Sequence, residues 1–390
     1  MTPHDRTDGV LVPAADTGSC LACVRSLGSR GIPTVVAVPE GTSVPATASR
    51  HCGETVSVPS PSADLLAYKN ALLAFAARTD IRTILPVRAV DAFVLWRHRP
   101  AFRSHVEAIW PGANTVDTVF DRLALFEAAR AADLPDPLAV PFDDVSDWDR
   151  PLEIESRYPV LTEQMVESMG RHDYEPPHTP IHHSPGSPPD REDVEQIFGH
   201  LPVVRESLAL ESRYAVRALY DRGDPLMMTV QKVGYGQSAD GSAVFSRLVD
   251  DGCIESLARR LLDRIGWHGL GSVRIVETAD GEYRLCGLDP YVGPSLALDV
   301  GAGADYPYAA WQLAVGDAEA IETAYDVGYG MHSLAGWFRR LARARSDGTG
   351  SVFPDSLPAA LASLYRHPNF EYLARDDPQP FLHASRYLLG

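Results

Sequence analysis

Four short apolar runs alternate with helix-length segments in the first 85 residues, and this alternation limits the fold more tightly than anything else in the chain. Val10-Leu11-Val12, Thr34 to Val38, Thr55 to Val58 and Thr83-Ile84-Leu85 read as strands. A helix is predicted from Asp16-Thr17-Gly18-Ser19 to about Arg30, stopped by Gly31 with Pro33 just beyond, and a second over 62–79. Strands separated by helices pair in parallel, because a parallel crossover needs a dozen or more residues. Residues 1–112 are therefore expected to form a small Rossmann-like, doubly wound domain. Such sheets bind ligands at the carboxyl ends of their strands. Those ends carry Asp16, Thr17 and Ser19, then Arg88 and Asp91. These residues either cap helices or form a substrate site, and a helix N-terminus at Thr17 favours an anion. There is no GxGxxG, so the dinucleotide fingerprint is absent.

Further along, a helix is predicted over 117–132, with Asp117 as N-cap and Val119, Leu123 and Phe126 on one stripe, closed by Leu134-Pro135-Asp136-Pro137. Tyr158-Pro159-Val160-Leu161 reads as a strand. Residues 168–190 are rich in Pro, Gly and His; His172, His178, His182 and His183 have no regular ligand spacing, so a mobile surface loop is expected in place of a metal centre. A helix at 190–199 follows, then strands at Leu201 to Glu206, Tyr214 to Leu219 and Met227 to Val233, and a helix at 254–265. Ser272 to Val276 and Tyr283 to Leu288 flank an Asp280-Gly281 turn, the pattern of a β-hairpin. It ends at Asp289-Pro290-Tyr291, where Pro290 cannot continue a ladder. The hairpin is open to two readings, a structural element of a sheet or a binding site at a strand end. After Gly316 the pattern turns helical, with Leu334, Trp337, Phe338 and Leu341 as a core stripe, and Asp376 to Pro380 ends that region.

Charge bounds the partners. Asp and Glu number 52 against 35 Lys and Arg, a net charge of −17, and only Lys69 and Lys232 are lysines. An acidic, lysine-poor surface resembles proteins of salt-loving organisms. It argues against a broad nucleic-acid face, which needs net positive charge. No stretch of 18 apolar residues predicts a membrane span, and the N-terminus lacks the basic flank and apolar core of a signal peptide, so a cytoplasmic location is expected. The five cysteines imply no disulfide framework. Cys20 and Cys23 have no second ligand pair and sit three apart on a predicted helix, so both are assigned to a core face.

In this order the parts resemble the ATP-grasp superfamily over about residues 9–317. Asp121-Arg122-Leu123 through Pro135 and Pro137 is similar to the family's DK helix entry, and Tyr158-Pro159-Val160 to a strand that runs YPVVxKP. Val203 to Leu208 resembles the adenine hinge QE(Y/F)(I/V), Gly266 to Val273 the run LGxxG, Gly287 to Tyr291 the motif E-x-N-P-R, and Ala302 to Pro307 AGVDYP. The resemblance implies an α/β chain in three parts: the Rossmann-like domain, an ATP-grasp-like α+β domain at 113–317 (small lobe about 156–206, large lobe about 207–317) and a helical extension at 318–390. It implies ATP, Mg2+ and an acyl-phosphate reaction, in which a carboxylate takes the γ-phosphoryl group and an amine or thiol displaces phosphate. Glu206 and Leu208 fall at adenine, Glu211 at ribose, Arg122 and Lys232 at phosphates, Asp289 at the metal, and Arg88, Asp91, Arg274 and Tyr291 near substrate. The match departs from the family where the chemistry lies. Arg122 stands in place of one lysine, and the other is replaced within Thr162-Glu163. Arg274 and Gly287 stand where magnesium ligands belong, and Tyr291 replaces the motif's arginine. Two functions follow: an ATP-dependent carboxylate–amine (or thiol) ligase with an altered site, or a degenerate relative that binds a small ligand or a partner without ligating.

Overall fold

The structure, a computed structural model, describes residues 8–14, 18–135, 138–237, 243–333, 336–337 and 357–389. Strands β1 (Gly9–Pro13), β2 (Thr34–Pro39), β3 (Glu54–Val58) and β4 (Ile81–Ile84) form a parallel sheet in the order β3-β2-β1-β4. Helix α1 (Gly18–Ser29) and α2 (Leu65–Ala76) fill two of the crossovers. Asp64 caps α2 by accepting from the Ala67 amide at 2.8 Å. Cys20 and Cys23 are fully buried in the core of this unit, and burial pushes the Cys23 thiol well up. Asp16 and Thr17 lie outside the described residues. Beyond β4 come α3 (Ala89–Arg97) and the short α4 (Arg99–Arg103).

The single helix expected over 117–132 is two, α5 (Ala113–Val119) and α6 (Arg122–Arg130). The break has a local cause. Asp121, not Asp117, is the N-cap and accepts from the Leu123 amide at 3.0 Å.

Strands β5 (Val140–Pro141), β6 (Leu152–Glu155), β7 (Ile181–His183) and β8 (Val203–Glu206) make an antiparallel sheet ordered β5-β8-β6-β7, backed by α7 (Arg191–Phe198). Leu152, Ile154, Val194, Phe198 and Val204 form its core. Two expectations fail here. The strand lies at 152–155, while Tyr158 to Leu161 makes only an isolated bridge between Leu161 and Glu175. The stretch 168–190 contains β7, with Ile181 opposite Ile154 and His183 opposite Leu152. Both misreadings come from charge: LEIE alternates apolar-in and carboxylate-out, so half of its residues look like loop.

The third sheet has six antiparallel strands in the order β13-β12-β9-β10-β11-β14: β9 (Leu210–Asp221), β10 (Asp224–Gln237), β11 (Ala243–Val249), β12 (Gly269–Thr278), β13 (Tyr283–Asp289) and β14 (Gly330–His332). One face packs Val216, Tyr220, Val230, Val273 and Ile275 against Phe126 of α6 and Leu257 and Leu261 of α8 (Gly252–Arg264). The opposite face carries Arg217, Thr229 and Gln231. These bind Asp299 of α9 (Leu296–Gly301) at 2.6, 2.7 and 2.5 Å, while Tyr306, opening α10 (Tyr306–Val315), donates to the Arg217 carbonyl at 2.9 Å. This buried network pins α9 and α10 to half of the face and leaves the other half to the small sheet.

The tail is not purely helical. β14 joins the sheet edge, and α11 (Leu357–Arg366) and α12 (Gln379–Leu389) follow. Asp376 to Pro380 does not end the region: Asp377 is buried against Arg25 (2.9 Å) and Ser49 (2.7 Å), and α12 starts beyond it. Leu334, Phe338 and Leu341 lie outside the described residues. No helix among the described residues is long and apolar enough to cross a membrane.

Candidate functional site

The free half of the six-stranded face meets the polar face of β6 and β8. Strand alternation sends Glu153 and Glu155 out of the small lobe on the side opposite Leu152 and Ile154, and antiparallel register sets Arg205 directly across from Glu153. Arg205 pairs with both carboxylates, at 2.9 Å to Glu155. Arg122, the first residue of α6, donates to the Ser156 carbonyl at 2.8 Å and stands 3.7 Å from Glu155. Burial opposes ionisation of Glu155, but the charges of Arg122, Arg205 and Arg274 outweigh it and hold the carboxyl below its usual range.

From the facing hairpin come Arg274 of β12 and Asp289 of β13, paired at 3.2 Å. Asp289, then Tyr291 and Cys286, favour the charged guanidinium of Arg274 against its desolvation. Although protein surrounds it, Arg274 keeps 45% of its side-chain surface open to the cleft, against 14% for Asp289. Gly287 is what makes room: a Cβ there would fall 2.6 Å from Arg274 Nη2. Cys286 lies beside the same group, its thiol raised by burial while Arg205 and Arg274 pull the other way. Tyr291 bonds Asp289, and burial followed by that carboxylate raises its hydroxyl.

A second polar group lies at the end of β4. Arg88 holds Asp91 at 2.8 Å, and the Tyr68 hydroxyl donates to the same carboxylate at 2.8 Å. The Val292 amide donates to Pro86 at 2.9 Å, tying this loop to the one that carries Tyr291. Half-buried Tyr174 joins the groups electrostatically: it feels Arg88 and Asp91, and Tyr291 feels it. So Arg122, Arg274, Asp289 and Tyr291 come together, with Arg88 and Asp91 adjoining.

Four other sequence-assigned residues lie apart from that cluster. Glu206 is engaged by Arg150 at 2.7 Å, Leu208 is half-buried beside it, and Glu211 is exposed at the start of β9. Lys232 sits over the Tyr214 ring at 5.1 Å, two residues from Val230 on the helix-packed face, so it points away from Arg274. Glu153, Glu155 and Cys286 were missed. The available signal was the alternation of carboxylates with Leu152 and Ile154 just after Pro151.

Magnesium needs several hard oxygen ligands. Here Asp289 is already bonded to a guanidinium and a phenol, and Gly287 offers no side chain. Among the described residues no group of three or more His, Cys, Asp or Glu could hold a metal ion. The residues do not fit magnesium.

No family model and no curated protein matches the sequence. Solved structures do match the fold. The chain superposes on N5-carboxyaminoimidazole synthetase from Staphylococcus aureus complexed with ADP, with a TM-score of 0.59 at 11% identity, covering 83% of this chain and 81% of the other. The fold is that of the ATP-grasp superfamily. A biotin carboxylase from Campylobacter jejuni in complex with β,γ-ATP gives a TM-score of 0.59 at 10% identity, over 82% of this chain and 74% of the other. An L-amino acid ligase from Bacillus licheniformis gives 0.58 at 11%, over 83% and 78%.

Proposed function

We propose that the chain is an ATP-grasp protein of the carboxylate–amine (or thiol) ligase class with an altered nucleotide and metal site. It binds ATP between the small sheet and the six-stranded sheet, adenine near Glu206 and Leu208, ribose near Glu211, and phosphates at Arg122, Arg205 and Arg274. In this reading residues 1–112, 113–317 and 318–390 act as leading domain, grasp domain and extension. The observation that carries it is the Arg274–Asp289 pair on the hairpin facing the cleft, with Arg274 open to solvent. A transferring phosphoryl group spreads negative charge over its oxygens, and preorganised cations stabilise it. Three guanidiniums supply such charge here, and their planar forks match phosphate oxygens two at a time. A bound phosphate displaces Glu155 and Asp289 from them. The acid to be activated enters past Tyr291 towards Arg88 and Asp91.

A second reading has its own support. Glu155 already neutralises Arg122 and Arg205; it lies four residues after Pro151, the spacing at which the resembled motif YPVVxKP has its lysine, and a carboxylate there favours holding a ligand over transferring phosphate. Phosphate release from ATP, measured across a panel of amino acids and small thiols with and without magnesium, separates the two. Acceptor-dependent release supports the ligase; ATP binding with no release under any condition supports the non-ligating protein.

A further inference from the structure

At the far end of α3 from Arg88, about 13 Å away at 1.5 Å per residue, lies a groove of ≈ 830 Å³ unrelated to the cleft. Trp96, Arg97, Arg99, Arg103, Asp117 and Gln164 line it. Three arginines converge there against one carboxylate, in a chain whose net charge is −17. Many of the described arginines are paired with Asp or Glu, yet among the described residues none of these three has a carboxylate within 4.0 Å. Among the described residues Arg97 is met by the Gln164 amide oxygen, at 2.8 Å to Nη2 in the orientation that satisfies that amide. Arg99 donates through Nη2 to the Ala108 and Trp110 carbonyls at 3.4 and 3.3 Å, and its buried Nε has no partner. A buried donor left unpaired is unfavourable, and so is a guanidinium beside another: burial and the charge of Arg103 both depress Arg99. Next to it the His98 imidazole is lowered by burial, then by Lys69 and Arg97. Trp96, stacked on Phe120 at 5.6 Å and 13°, gives the groove a fixed wall.

We propose that this groove is a second binding site, for a small molecule carrying two closely spaced negative charges, a phosphate monoester or a polycarboxylate. Its dianion relieves the repulsion between Arg99 and Arg103, with Arg97 and Gln164 as the opposite jaw. Arg103 is exposed and free of the packing that Arg99 serves, so its replacement tests binding without testing folding.

Calorimetric titration of the full chain with inorganic phosphate, and separately with citrate, at low salt is the test. The expected result is saturable binding that Arg103→Gln and Arg99→Gln each weaken at least about tenfold, the scale of one charge-assisted hydrogen bond, while Arg274→Gln leaves it unchanged. Whichever of the two anions binds more tightly identifies the ligand chemistry. No binding of either at millimolar concentration overturns the proposal, as does retention in Arg103→Gln. Loss in Arg274→Gln instead would assign the anion to the cleft and overturn it. A dimer seen by sedimentation, abolished by Arg103→Gln and indifferent to phosphate, would make an acidic protein face the occupant and also overturn it.

Discussion

Arg274 and Gly287 are one device made of two residues. The guanidinium lies where a Cβ on residue 287 would be, so Gly287→Ala displaces Arg274 from the hairpin without touching the core. Arg274→Gln is expected to weaken ATP by about 10- to 100-fold, the worth of one or two charge-assisted hydrogen bonds, with adenosine affinity unchanged. Gly287→Ala should show the same selective loss, and its thermal unfolding should match that of the parent chain. An equal loss for adenosine would show that the hairpin itself had been damaged. Lys232 offers the contrast. It lies over Tyr214 on the helix-packed face, so Lys232→Met should leave ATP affinity as it is; a tenfold loss would contradict the face assignment. The sequence made Arg274, Asp289 and Tyr291 legible, because a strand ending in Asp-Pro-Tyr exposes its own site. It hid Glu155, whose partners Arg122, Arg205 and Arg274 come from three other elements.

Among the elements, the parallel sheet was readable because β1 and β2 are near-continuous apolar runs and all four strands are separated by helix-length or turn-rich segments. β6 and β7 were not, because a strand that faces a charged cleft carries polar residues on that face. β14 was missed for a different reason: three residues show no periodicity, and their place is set by long-range contacts. His332 at its end is fully buried, 4.7 Å from the Phe245 ring and 5.5 Å from Phe370. Burial, followed by nearby His367, lowers its imidazole to about 4. The folded state therefore binds fewer protons than the unfolded state between about pH 6.5 and 4. Stability from this site is fully present above the unfolded value of about 6.5 and is lost as pH falls towards 4, by roughly 2–3 kcal/mol. Denaturation midpoints of the parent chain and of His332→Phe, followed from pH 7 to pH 4.5, should converge or cross as the parent weakens; parallel curves would contradict it. At the other attachment, α9 is held by Asp299 against Arg217, both buried. Arg217→Met leaves that carboxylate unpaired and should cost about 3–5 kcal/mol in a denaturant titration. A change below about 1 kcal/mol would show that the carboxyl is neutral and needs no cation.

At the scale of the molecule, two lobes meet across a cleft whose charges are all internal. Arg122, Arg205 and Arg274 face Glu153, Glu155 and Asp289, with no described set of ligands for a metal. The order of sheets and helices was legible because hydrophobic periodicity is local. Arg274 and Gly287 stand in the sequence where the resemblance puts metal ligands, and the structure adds that the two fit together. In the proposed function Arg274 meets the phosphates without a metal ion beside it. Calorimetric titration of ATP into the protein, once with excess magnesium and once with chelator, tests it most directly. The expected affinities are equal within about threefold, a difference under 1 kcal/mol. A gain of a hundredfold or more with magnesium would contradict it and place a metal ligand at this cleft.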